Sequence, residues 1–445
     1  MVKKTNQLNT RKIAEEIFRE GVKSVLPSVL IPSQVKLKEN SLYIGTRSFP
    51  LEHVNKIYVI GAGKASALMA SEVEKILGSK ITKGHVIVKY GHSCRLNHIR
   101  VTEAGHPVPD SNGFKATRDI LSIASSAGAG DLVLCLISGG GSALLADHPD
   151  GCTPGEMIIM NDLLVNCGAD ISEINAVRKH ISSVKGGQLA RAVFPAHLVS
   201  LILSDVPGDP LDVIASGPSS PDLTTFSQAL GVLEKYDLMS RVPQGIINFL
   251  LEGEKGLHPD TPKSGDEIFS RTHNFLIGTN RLALEAASQA ALGHNFRTII
   301  MDSGLQGDAA TVADNIIETS IRIQTDKNEA GSVCLLFGGE TTLKMTGKGM
   351  GGRNQHLALL AAILLKNHPG ITFLSGGTDG NDGPTDAAGA VVDSDTYING
   401  ISGGLKPEKF IHDFDSYNFF KKSGGHIITG PTMTNVMDII VVIIQ

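Results

Sequence analysis

No apolar run in this chain reaches the length of a membrane span, and its first residues, MVKKTNQLNTRKIAEEIF, hold no apolar signal core. A transmembrane anchor and a secretory leader are therefore not expected, and a cytoplasmic location is. No basic cluster stands out, and 40 Lys and Arg against 45 Asp and Glu leave a net charge of −5. That gives no footprint for nucleic acid or for a membrane surface. The five cysteines, Cys94, Cys135, Cys152, Cys167 and Cys334, form no CxxC pair. A structural zinc site and a disulfide framework are thus excluded as expectations, and a reducing compartment fits. Low-complexity tracts and short-period repeats are also missing, although glycine is abundant at 49 residues. Most of that glycine stands at the ends of apolar runs, where it reads as turn chemistry.

A length of 445 residues exceeds one ordinary core, so two or three domains are expected. Short apolar runs alternate with helical periodicity throughout, which predicts α/β architecture with mainly parallel sheets in both halves. Thr10 is expected to cap a first helix over Arg11–Leu26. Leu132–Ile137 and Leu198–Leu203 read as buried strands, and Ala309–Thr325 as a helix. The Pro- and Gly-bearing stretch Pro243–Ser264 reads as a linker. A second half is then expected to open with Phe275–Gly278, and Ile439–Ile444 to be a buried final strand. The division expected from this is 1–250 and 251–445.

One device recurs: a strand, a glycine turn and polar residues. Asp131–Leu145, DLVLCLISGGGSALL, carries Ser138, Gly139, Gly140, Gly141 and Ser142 before a helix start. Loops without Cβ atoms let backbone N–H groups turn toward an anion, and a following helix N-terminus adds partial positive charge. The plain alternative is a tight strand-to-helix turn that binds nothing. Ile57–Ser66 repeats the pattern with Lys64, Val333–Thr342 with Gly338, Gly339 and Glu340, and Phe373–Gly380 with Asp379. Four such ends suggest loops converging on one cleft. None is a nucleotide fingerprint, because Gly61-Ala62-Gly63-Lys64-Ala65-Ser66 has neither P-loop spacing nor a third glycine. Gly140-Gly141-Ser142-Ala143-Leu144 likewise lacks the last glycine of a hydrolase elbow. Ser142 therefore reads as a phosphate contact before a nucleophile.

Arg353 follows Gly351-Gly352 at an expected helix start, where a guanidinium grips a carboxylate or phosphate in two parallel hydrogen bonds. Asp205 and Asp209 follow one buried strand; Asp379, Asp382 and Asp386 follow another. Carboxylates so placed hold Mg²⁺ or take a hydroxyl proton, although Asp382 and Asp386 read equally as turn residues. Asp205, Glu340 and Asp379 are the expected metal ligands. Lys64, Arg353 and Asp205 are the expected catalytic residues. The 138–142 loop with Gly338 and Gly339 is the expected nucleotide contact. His106, His180 and Lys185 are further candidates, each explained as well by structure.

Eight blocks in order carry a family resemblance: VIGAGKAS (Val59–Ser66), AGHPVPD (Ala104–Asp110), LISGGGSALL (Leu136–Leu145), INAVRKHISSVKGGQLA (Ile174–Ala190), LSDVPGDPLDVIASGPSSPD (Leu203–Asp222), GGETT (Gly338–Thr342), GGRNQ (Gly351–Gln355) and SGGTDGNDGPTDAAGA (Ser375–Ala390). From about Arg11 to the end the chain resembles glycerate 2-kinases with a MOFRL C-terminal domain. The resemblance implies a Rossmann-like N-terminal domain, a smaller α/β C-terminal domain and an active site in the cleft between them. It implies ATP- and Mg²⁺-dependent phosphorylation of D-glycerate to 2-phosphoglycerate, and it places Lys64 and Arg353 in the active site. Two rivals stay open: an NAD(P)H-dependent hydroxypyruvate reductase and a non-catalytic sensor of small acids. A homodimer is also left open.

Overall fold

The computed structural model describes residues 2–326 and 331–445. Two compact units divide the chain. The N-terminal unit comprises Leu30–Ser204 and Asp209–Ile277; the C-terminal unit comprises Met1–Val29, Asp205–Gly208 and Gly278–Gln445.

In the N-terminal unit a small antiparallel sheet is formed by β1 (Val35–Lys38), β2 (Ser41–Ile44) and β3 (Arg47–Pro50). The main sheet contains β4 (Ile57–Ala62), β5 (Ile81–Lys89), β6 (Ile99–Ala104), β7 (Leu132–Ile137), β8 (His197–Leu203) and β9 (Thr272–Gly278), in the order β6-β5-β4-β7-β8-β9. Strands β6 through β8 are all parallel. Strands β4 and β7 are buried at every residue, as unbroken apolar runs in a sheet covered on both faces should be. The chain runs outward from β4 to β6, then returns and continues from β7. The β4–β7 pair is therefore the topological switch point.

The C-terminal unit holds a second six-stranded sheet: β10 (Arg297–Asp308), β11 (Val333–Thr342), β12 (Ile371–Gly377), β13 (Gly389–Asp393), β14 (His426–Ile427) and β15 (Asp438–Ile444). Its order is β10-β11-β15-β12-β13-β14. Only β10 and β11 pair in parallel; the other four pairings are antiparallel, which corrects the expectation of a mainly parallel second sheet. β15, apolar from Ile439 to Ile444, lies between β11 and β12, so continuous hydrophobicity here marks double-sided burial without parallel direction.

The unit boundaries also differ from the expected 250/251 division. β9 extends the first sheet, so the chain leaves the N-terminal unit only after Ile277. The first helix, Val2–Ser24, belongs to the C-terminal unit, with Thr10 buried in its interior where a cap was expected. The stretch expected to be a linker contains a helix, Gln244–Glu254, which buries Ile246, Ile247 and Leu250. Pro243 stands at the N-cap of that helix. Among the described residues no helix is long and apolar enough to cross a membrane, and all five cysteines are free.

Candidate active site

Strands β4 and β7 end side by side, Ala62 opposite Ile137, and their loops are tied to each other. The Lys64 N–H donates to Gly139 O at 2.9 Å, and the Ala65 N–H to Ser138 Oγ at 2.9 Å. Ser66 Oγ reaches back to Leu136 O at 3.0 Å. Lys64 thus leaves a backbone clamped to the glycine loop. Gly140 sits at φ +83°, and a Cβ there would lie 2.9 Å from the His106 ring. Both backbone and packing therefore demand glycine at that position.

The helix after the loop, Gly141–Leu144, is a single turn. The macrodipole expected behind Ser138–Ser142 is correspondingly small, and anion binding there rests on the loop N–H groups. Ser142 Oγ lies 2.7 Å from Ser216 Oγ, which donates to Asn175 Oδ1 at 3.1 Å. With the Ser216 proton given to Asn175, Ser142 must donate to Ser216 and presents only lone pairs. In this arrangement its hydroxyl is an unsuitable donor to phosphate. Ala215 and Ser216 both adopt positive φ, +50° and +60°, just before Gly217 at +63°. Consecutive non-glycine residues in that region store strain of the kind found at functional sites. Nothing in the sequence signals this partner loop except its small residues.

The surroundings are cationic. Burial, then the charges of Lys64, Lys89 and His92, push His106 down to about 4, so its imidazole is neutral at ordinary pH. The buried Lys185 ammonium donates to Leu145 O at 2.6 Å and lies 3.6 Å from Asp147. Burial also holds its pKa below the usual lysine value. His180, by contrast, is structural, with Nε2 2.8 Å from Asp260 and its ring against Phe226.

In the C-terminal unit the carboxyl ends of β11 and β12 flank the start of β15, with Gly339 and Gly377 both opposite Asp438. Arg353, first residue of the helix Arg353–Leu364, donates to Asp438 through Nε at 2.6 Å and Nη2 at 3.0 Å, and to Glu340 through Nη1 at 2.6 Å. Burial opposes its charge, but Asp438 and Glu340 outweigh that and raise its pKa. Asp438 escaped the sequence reading; an acid heading an apolar run was its signal.

The Asp382 carboxylate accepts from Asn354 N at 3.0 Å and Gln355 N at 2.8 Å, capping this helix from a distance. Gly352 supplies the room, since a Cβ there would lie 2.3 Å from Asp382 Cγ. Gly338 and Gly339, expected to form a nucleotide turn, lie inside β11. Asn280 fills the space beside Gly338, and Leu305 backbone that beside Gly339. Close packing accounts for both glycines without a phosphate.

The expected metal ligands are dispersed. Glu340 is bound to Arg353, Asp205 accepts from Asn435 Nδ2 at 3.3 Å, and Asp379 Oδ1 accepts from Asn381 N at 3.1 Å. Among the described residues no group of three His, Cys, Asp or Glu side chains is arranged to hold a metal ion. Asp209 Oδ1 is shut off from solvent with no hydrogen-bond partner among them, in a residue at φ +55°. Mg²⁺ takes one or two carboxylates together with waters and phosphate oxygens, so a lone carboxylate such as Asp209 fits its chemistry, while no protein-only cage forms among the described residues.

Strand order, switch point and paired glycine loops define the class: a doubly wound α/β protein of the kind whose ligands sit at the carboxyl ends of its strands. Residues 13–251 match the model of a domain of unknown function, DUF4147, and residues 333–438 that of the MOFRL family. The chain is 40% identical to a D-glycerate 2-kinase of Thermotoga maritima, over 97% of each chain. It is 37% identical to a protein of Agrobacterium vitis assigned provisionally as a hydroxypyruvate reductase, over 99% of this chain and 95% of that one. The crystal structure of a glycerate kinase from Thermotoga maritima superimposes with a TM-score of 0.87 at 39% identity, covering 98% of this chain and all of that one. The chain belongs to the glycerate 2-kinase family.

Proposed function

We propose that the protein transfers the terminal phosphoryl group of ATP to the 2-hydroxyl of D-glycerate, with Mg²⁺ as the accompanying cation. The observation that carries this reading is the pair of interlocked glycine loops at the β4–β7 switch point, with Lys64 on one of them, in a chain of this family.

Phosphoryl transfer asks a protein mainly for positioning and charge neutralisation. The N–H groups of the 139–142 loop take phosphate oxygens, and Lys64 adds a point charge beside them. Arg353, held rigid by Asp438 and Glu340, orients the acid or the transferring group through the part of its guanidinium that stays exposed. Asp205 accepts the 2-hydroxyl proton as that oxygen bonds to the γ-phosphorus and the bond to the departing ADP breaks. Asp209, whose Oδ1 has no hydrogen-bond partner among the described residues, is the carboxylate that would hold Mg²⁺, whose chemistry is to neutralise charge on the phosphate oxygens.

The Agrobacterium vitis relative favours a reductase as the second reading. Against it, the β4 turn has Ser66 where a dinucleotide motif has its third glycine. The two readings separate in one assay. Release of ADP that depends on D-glycerate supports the kinase; oxidation of NADH or NADPH by hydroxypyruvate, without ADP release, would replace it.

A further inference from the structure

A cavity of about 480 Å³ opens in the N-terminal unit beside the glycine loop. Gly140 and Ser142 form part of its wall, Arg178 and Lys185 contribute two cations, Asp147 (beside Lys185) and Asp162 two carboxylates, and Val108, Ile158 and Val165 line it with apolar surface. Three features of that lining are costly without a ligand.

Arg178 is half-buried, donates from Nε to Asn161 Oδ1 at 2.8 Å, and forms no ion pair with a carboxylate among the described residues. Burial alone depresses its pKa. A largely desolvated guanidinium normally faces an anion. Val108 and Val165 are 62% and 61% exposed, large apolar side chains gathered at one cavity. The helix Pro154–Asn166 carries apolar residues outside its core face as well as on it, interspersed with Glu156, Asn161 and Asp162. Here Met157, Met160 and Leu164 enter the core, while Ile158 and Val165 face the cavity. A three-carbon acid would fill a small part of this volume and would leave the apolar wall wet. An anionic end joined to a flat, weakly polar body matches the Arg178 guanidinium and the apolar wall.

We infer that this cavity seats the base and sugar of a nucleoside triphosphate, with its phosphates directed to the Gly140–Ser142 loop and the Arg178–Lys185 pair. The inference rests on the kinase reading for its choice of ligand.

Val165 stands on the outer face of its helix, so Val165→Trp crowds the cavity without touching the core, and Val165→Ser removes the contact without adding bulk. ADP binding by calorimetry and steady-state rates with ATP, Mg²⁺ and D-glycerate are measured for the unmodified protein and both variants. Val165→Trp is expected to weaken ADP binding and raise the KM for ATP by about tenfold or more, and Val165→Ser by a few fold. The KM for glycerate and the melting temperature should hold. Unchanged ADP affinity with unchanged KM for ATP overturns the inference, as does a rise confined to the KM for glycerate. ADP binding that is sensitive to Val165→Trp in a protein that phosphorylates nothing keeps the cavity assignment and removes the kinase reading. Phosphorylation of glycerate with a KM for ATP insensitive to Val165→Trp does the reverse.

Discussion

Arg353 has an architectural role in its ion pairs and a proposed chemical one. It neutralises Asp438, which is 4% exposed, and binds Glu340 as well. Arg353→Ala should therefore cost more than catalysis. Turnover is expected to fall by about 10²-fold or more. Stability should fall by on the order of 3 kcal/mol, because a buried carboxylate loses its partner. Denaturant unfolding beside kcat separates the two effects, and near-normal turnover in a folded variant would remove the catalytic role. Gly352 makes a purely structural case. Gly352→Ala drives a methyl into Asp382 and should destabilise by about 1–3 kcal/mol, read as a lower denaturant midpoint. Three histidines carry a pH signature: burial is the leading cause that holds His85, His106 and His356 at about 4 in the folded chain, against about 6.5 for an unperturbed imidazole. Between those values the unfolded chain binds more protons. Stability is thus intact above pH 6.5 and falls as pH drops toward 4, by up to about 1.4 kcal/mol per pH unit for each histidine. Urea midpoints at pH 7.5 and 5 check this; equal midpoints would contradict it.

At the scale of elements, the proposed working part is the β4 and β7 loops clamped together and backed by the strained 215–217 turn. Gly140→Ala must place a side chain at φ +83° against the His106 ring. It should lower kcat/KM at least tenfold while the two sheets persist, measured by kinetics beside circular dichroism. The loops were legible in the sequence because glycine after six apolar residues has few other uses. Leu132–Ile137 and Ala309–Thr325 stand as read, for the same reason of unmixed periodicity. Other elements were hidden by physics that operates at a distance. Asp382 caps a helix 28 positions earlier, and no local pattern records that. Gly338 and Gly339 look like a turn but lie in a strand, because what fills their missing Cβ positions comes from Asn280 and Leu305. The mixed composition of 243–264 concealed the helix Gln244–Glu254 within it.

At the scale of the molecule, alternation of strand and helix disclosed the α/β class but not the direction of pairing. β15 is apolar from Ile439 to Ile444, as a parallel strand would be, yet runs antiparallel to both neighbours. Sequence order also concealed the exchange of segments, since the first helix and residues 205–208 belong with the C-terminal unit. The candidate groups divide accordingly, with Lys64 and the glycine loop in one unit and Arg353, Glu340, Asp379 and Asp205 in the other. Phosphoryl transfer to glycerate is the central claim, and phosphorus NMR of the purified protein with D-glycerate, ATP and Mg²⁺, free of nicotinamides, tests it most directly. The expected result is growth of a 2-phosphoglycerate resonance matched by ADP. A 3-phosphoglycerate resonance would contradict the assigned hydroxyl, and unchanged ATP beside intact glycerate would contradict the kinase itself.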